Sequence, residues 1–198
     1  MDVDDYDRHF RLLICGGSGT GKSTILSRFS FEGGGSEGKS ILKLDGEIIR
    51  IDVRKKDNWQ REYVSEFDAV IAVFASDDLK SFEYAVEIVR SVQNCDFLPV
   101  VIIENKIDLI DNYNFSNKEI IEDAITKARV RMYRVSAEQE FNVMQPFAYI
   151  LEKLLRYRDE NANVHDRTFQ NCRPTSREAW VERPVATSSK KSSNCSIM

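Results

Sequence analysis

Apolar runs of strand length alternate with amphipathic stretches of helix length along residues 1–160, the pattern of βαβ units built around a mostly parallel sheet. Strands are predicted at 10–15, 40–44, 47–53, 69–75, 100–104 and 132–135. Asp45-Gly46 between the second and third is a hairpin signal, so that pair is predicted antiparallel. Helices are predicted at 22–29, 58–65, 79–94, 117–128 and from 141 to about 158. Within 79–94, Phe82, Ala85, Val86 and Val89 share one helical face, a stripe that reads as core packing rather than as a ligand box. The fold class is therefore α/β: a six-stranded, mostly parallel sheet with one antiparallel edge strand and helices on both faces.

Two stretches break the alternation. Residues 32–39, EGGGSEGK, are Gly-rich and are expected to be mobile, because little in them can pack and glycine loses most freedom on ordering. From 161 to 198 the chain turns polar, with Pro174, Pro184 and a Ser/Thr-rich end, and is read as a flexible tail behind one domain spanning 1–160. No internal repeat is evident.

Charge and cysteine content narrow the setting. A net charge of -4 over 198 residues leaves no excess of Lys and Arg to neutralise a nucleic-acid strand, which argues against a general nucleic-acid binder while leaving room for a local basic patch. The four cysteines, Cys15, Cys95, Cys172 and Cys195, form no CxxC pair and fit a reducing, cytosolic setting. No apolar run reaches the roughly 20 residues of a membrane-spanning helix, and the acidic start lacks the features of a signal peptide. Membrane contact must come from elsewhere.

The chemistry begins after the first strand. Gly16, Gly17, Ser18, Gly19, Thr20, Gly21, Lys22 and Ser23, followed by Thr24, match GxxxxGK[ST], in which glycines let backbone N–H groups curl around phosphate oxygens. In such a loop Lys22 bridges the β and γ phosphates, Ser23 ligates Mg²⁺, and the following helix presents its positive N-terminus. The flanking FRLLIC and the amphipathic stretch behind it supply the strand-loop-helix setting the motif requires. Asn105, Lys106, Ile107 and Asp108 follow the strand VVIIE, on the sheet edge where ligands of such folds bind. A carboxylate at Asp108 can accept both N1–H and the exocyclic amine of guanine, a donor pair adenine does not offer. Ser136 and Ala137, after the strand MYRV, can place a backbone N–H against the guanine carbonyl.

With GGSGTGKS, NKID and VSA in this order, and FASDDLKSFE after the fourth strand, the chain resembles the Ras and Rab type of small GTPase over about residues 10–158. The resemblance implies the P-loop NTPase (Ras-like) fold, GTP and GDP as ligands with Mg²⁺, and two loops ordered by the γ-phosphate and released after hydrolysis. It further implies a monomer acting as a signalling or trafficking switch with protein effectors and regulators.

The departures matter equally. Family members carry DxxGQ or a close variant after the third strand, where this chain reads Asp52-Val53-Arg54-Lys55-Lys56. On that alignment Asp52 holds Mg²⁺ through water and completes a catalytic set with Lys22 and Ser23. Lys55 then stands at the glycine that meets the γ-phosphate, and Lys56 at the glutamine that positions the attacking water. A lysine only donates, so it cannot orient water as glutamine does. Asp57 and Gln60 lie close enough to fold back in its place. The threonine metal ligand of the first switch is replaced by Ile41, with Ser40 adjacent as a weak substitute and Ser36 nearby. Phe29 and Phe31 stand too early to flank guanine. Slow hydrolysis is the expectation, with a non-hydrolysing membrane adaptor as the alternative; NKID disfavours a P-loop ATPase or nucleotide kinase.

Cys195-Ser196-Ile197-Met198 fits C-a-a-X, and a terminal Met favours farnesyl. One lipid with Lys190 and Lys191 upstream gives reversible attachment to the cytoplasmic face of a plasma or internal membrane.

Overall fold

A computed structural model of the 198-residue chain describes residues 6–29, 37–44, 46–93, 98–110 and 118–161. Six strands, β1 (Arg8–Cys15), β2 (Glu37–Leu44), β3 (Glu47–Lys56), β4 (Ala69–Ala75), β5 (Val100–Asn105) and β6 (Arg131–Arg134), form one sheet in the order β2-β3-β1-β4-β5-β6. Only β2 and β3 pair antiparallel; every other neighbouring pair is parallel. Gly46 turns between them at φ 92°, a left-handed conformation that glycine adopts without a steric penalty. Its neighbour Asp45 lies outside the described residues.

The helices α1 (Lys22–Phe29), α2 (Leu79–Gln93), α3 (Lys118–Ala128) and α4 (Gln145–Asn161) cover the two faces of this sheet. Alternation along each strand divides the core in two. Phe10, Leu12 and Ile14 of β1 and Ile49, Ile51 and Val53 of β3 face Ile25, Leu26 and Phe29 of α1 and Phe147, Ile150 and Leu154 of α4. Phe29 stacks on Phe147 with ring centroids 4.1 Å apart, a contact of about 0.5–1.5 kcal/mol beyond burial alone. On the other face Leu13, Cys15, Val70, Ala72 and Phe74 pack under Phe82, Ala85, Val86 and Val89 of α2 and Ile121 and Ile125 of α3. The stripe read from the sequence is thus core. Strand β4, AVIAVFA, is buried at every position, as a central parallel strand covered on both sides must be.

Two predicted elements change. The helix expected at 58–65 is only a five-residue 3-10 turn, Arg61–Ser65, because Trp59 is held against α2 rather than continuing a helical face. The helix expected from Phe141 begins at Gln145, since Phe141 exchanges backbone hydrogen bonds with Ser136 in an isolated bridge and Asn142 has φ 59°. The Gly-rich 32–39 segment falls partly outside the described residues, and its last three positions, Glu37, Gly38 and Lys39, pair in β2 against Arg54, Val53 and Asp52. Cys95, the tail from 162 onward and Cys195 lie outside the described residues.

Candidate functional site

The carboxyl ends of β1, β3, β4 and β5 converge on the loop 16–21, which leads into α1. Glycine is required at two of its positions. A Cβ on Gly16 would stand 2.1 Å from the Val73 carbonyl oxygen, and one on Gly21, at φ 88°, would stand 2.1 Å from Nδ2 of Asn105. Thr20 is buried and donates its hydroxyl to the Gly17 carbonyl at 2.9 Å, which curls the loop on itself. Ser18 and Gly19 are exposed at the tip, Ser23 is exposed on the first turn of α1, and Thr24 beside it is half-buried.

Lys22 is only 3% exposed, and its ammonium donates to the carbonyls of Gly16 at 2.8 Å and Gly17 at 2.5 Å. A buried ammonium needs a counter-charge. Asp57, just past the end of β3, supplies it with Oδ1 at 2.8 Å from Nζ. Lys22's hydrogen bond and positive charge, with a smaller contribution from Lys55, hold the Asp57 carboxyl below its usual range. Of the two residues expected to be able to fold back in the glutamine's place, Asp57 reaches the loop, but as the partner of the Lys22 ammonium. Cys15, beneath the loop, has its thiol pushed up to about 11 by burial and is chemically quiet.

Asn105 joins three motifs. Its Nδ2 donates to the Thr20 carbonyl at 2.9 Å, and its Oδ1 accepts the Ala137 N–H at 3.1 Å. Lys106 sits at φ 63°, held where the Ser76 hydroxyl donates to its carbonyl at 2.7 Å, and its ammonium approaches Asp77 at 3.6 Å. The Ser136 hydroxyl donates to Asp108 and accepts the Gln139 N–H. The carboxylate expected to read guanine is thereby oriented from the neighbouring loop. The backbone donors of this loop are already engaged: the Ser136 N–H donates to the Phe141 carbonyl and that of Ala137 to Asn105 Oδ1. A guanine carbonyl must share or displace the Ala137 donor. Arg28 ties α1 to the same loop, with Nε on the Ala137 carbonyl at 3.3 Å and an ion pair to Glu140 at 2.7 Å.

The metal ligands expected at Asp52 and Ser40 are not brought to Ser23. Side chains alternate along β3, and Ile49, Ile51 and Val53 face α1, so Asp52 points to the other face. There His9 at 2.8 Å and Arg50 at 3.0 Å engage it. Burial alone would raise its pKa, but these two partners outweigh it and hold the carboxyl below its ordinary value. Along the strand Asp52 pairs with Arg11, whereas Lys55 pairs with Ile14 at the edge beside the loop. Ser40 sits opposite Ile51, buried, and its hydroxyl finds no partner among the described residues.

The residue that does reach Ser23 is Lys55, whose ammonium donates to Ser23 Oγ at 2.7 Å. Mg²⁺ needs oxygen donors in octahedral array, and here the hydroxyl meant to bind it faces a cation instead. The residues present do not fit the metal. Lys56, on the opposite face, lies over the Tyr63 ring at 5.7 Å and is turned away from the loop. A cavity of about 260 Å³ on the Asp52 face, lined by Arg11, Lys39, Arg50 and Arg54 among others, contains none of the phosphate-loop residues.

Several of these contacts were legible in the chain and several were not. Period-two alternation of Ile49, Ile51 and Val53 is visible in the sequence and already sets Asp52 off the α1 face. The anchoring of Trp59, by its N–H to the Tyr84 hydroxyl at 2.7 Å and by its indole N–H to Ser91 Oγ at 2.8 Å, had no local signal.

A mostly parallel sheet with a glycine loop closing on a buried lysine, clasped by an Asn-Lys-x-Asp turn and a Ser-Ala loop, defines a P-loop protein of the guanine-nucleotide class. Comparison with known proteins narrows the class. A family model described as the Ras family matches residues 54–156. A protein named Ras-like protein from Laccaria bicolor is 25% identical over 174 residues, covering 79% of this chain and 82% of that protein. GTP-binding protein yptV2 from Volvox carteri is 26% identical over 182 residues, covering 80% and 82%. The chain belongs to the Ras family of GTP-binding small GTPases.

Proposed function

We propose that this chain holds GTP or GDP in the loop 16–23, turns GTP over slowly, and works at the cytoplasmic face of a membrane through a farnesyl group on Cys195. The observation that carries the reading of slow turnover is the pair Lys55 and Lys56. Lys55 occupies Ser23, and Lys56 is turned onto Tyr63, so neither offers an acceptor to an attacking water. Lys22, between the two phosphate-loop carbonyls, remains the group that meets the phosphates, and Asp57 is the carboxylate they must displace. The anchor rests on the terminal Cys195-Ser196-Ile197-Met198 and the lysines before it. Effectors and regulators of protein nature follow from this reading, as does action by a single chain.

Purified protein tested in competition should retain guanine nucleotides over ATP. Changing Asp108→Asn should shift the preference toward xanthine nucleotides, because the amide offers the donor that the xanthine carbonyl needs. Equal binding of ATP and GTP by the unaltered protein contradicts the assignment.

A second reading, a nucleotide-holding adaptor that does not cycle, is favoured by one observation. Residues 59–67 are fastened by the Trp59–Tyr63–Phe67 aromatic chain and by the two Trp59 hydrogen bonds to α2. A segment so tied has few ways to respond to a γ-phosphate.

A further inference from the structure

We infer that Lys55 is a resident cation standing in for the divalent metal at Ser23, so that this chain binds guanine nucleotide without Mg²⁺. The inference rests on the reading of the loop as a nucleotide site and adds its electrostatics. Four observations converge. The Lys55 ammonium lies 2.7 Å from Ser23 Oγ, donates to one of its two lone pairs, and sets a positive charge where a metal on that hydroxyl would stand. Strand register holds it there, since Lys55 pairs with Ile14, one residue before the end of β1, and shares the α1 face with Val53. The carboxylate of the same strand, Asp52, points to the opposite face and is held by His9 and Arg50. The carboxylate beyond it, Asp57, is engaged by Lys22 at 2.8 Å. Among the described residues the two carboxylates flanking Lys55 in the chain, Asp52 and Asp57, are thus each engaged by another cation, while a positive charge already stands beside Ser23.

A metal on Ser23 Oγ at about 2.1 Å would be pressed against that ammonium. Without it, the site still offers two ammonium groups and the loop N–H donors to the polyphosphate. A lysine neutralises phosphate as a point charge and needs no coordination geometry. Mg²⁺ bridging between phosphate and protein is thus replaced by a single side chain fixed on β3. The arrangement also separates binding from hydrolysis, because an ammonium supplies charge but does not hold the phosphate oxygens in the geometry a divalent ion imposes.

The test is the affinity of the purified full-length chain for GDP, measured by titration calorimetry in excess Mg²⁺ and in excess EDTA. The expected result is a dissociation constant that agrees within about threefold between the two buffers. Lys55→Met should weaken binding in both buffers, Lys55→Arg should keep metal independence, and Lys55→Asp should make binding at least about tenfold tighter with Mg²⁺ than without. Thermal unfolding of each variant separates loss of the fold from loss of the site, and the unaltered chain alone already decides the main point. Affinity that falls about tenfold or more when Mg²⁺ is chelated overturns the inference. Failure to bind GDP in either buffer overturns the nucleotide reading itself, and this inference with it.

Discussion

Single residues decide what this loop can accept. Gly21 has φ 88° and no room for a Cβ beside Asn105, so Gly21→Ala combines left-handed strain of about 1–2 kcal/mol with displacement of the amide that clasps the Ser-Ala loop. A fall in melting temperature of about 2–8 °C is expected, together with loss of GDP affinity, both measurable on the purified variant. Lys56→Gln should leave hydrolysis unimproved, because position 56 faces Tyr63 and not the phosphate loop; a rise in single-turnover rate would show that the side chain reaches the nucleotide after all. Asp57 provides a pH signature. Its folded pKa lies below the unfolded value of about 3.9, so its contribution to stability is present above that value and is lost as pH falls through the folded one. The stability difference between the unaltered chain and Asp57→Asn should be constant from about pH 5 to 8 and shrink below about pH 4 in urea titrations. The difference will be small, since the Asp57 side chain is 58% exposed.

At the scale of elements, the strands and their neighbours were readable because apolar residues recur with period two or run unbroken, and burial on one or both faces enforces that periodicity. Strand β4 (Ala69–Ala75) and helix α1 (Lys22–Phe29) fall where the pattern predicts them. The phosphate loop was legible because close approach at Gly16 and Gly21 leaves no room for a Cβ, and the NKID turn because Asn105 and Asp108 each bond to a neighbouring loop in a fixed spacing. The segment after β3 was not. Motif spacing suggested that Asp52 begins a DxxG-like stretch, but the strand runs on to Lys56 and puts Asp52 on the wrong face. Trp59, whose partners Tyr84 and Ser91 lie far along the chain, could not be placed from its neighbours in sequence. Trp59→Ala removes both the indole hydrogen bond and the edge-on contact with Tyr63. Amide exchange across 57–65 should then become faster than in the unaltered chain. Without the substitution, exchange there should be alike in the GDP and GTP forms; protection that appears only with GTP would mean that the segment still switches.

For the whole molecule, the sheet edge, the glycine loop and the guanine-directed turn form a site in which Lys55 and Asp57 take positions a metal and a phosphate would claim. Release of the protein from membranes on Cys195→Ser, read by fractionation of cells expressing it, is the expected behaviour of a lipid-anchored chain; an unchanged distribution would refute that anchor. On the proposed function, a Ras-family nucleotide site is retained while two lysines, Lys55 and Lys56, alter its hydrolytic half. Single-turnover hydrolysis by the purified chain at saturating GTP tests this most directly. The predicted rate is well below the roughly 3–5 × 10⁻⁴ s⁻¹ of an unassisted Ras-type enzyme, with GTP recovered intact from the protein. A rate at or above that value would contradict it.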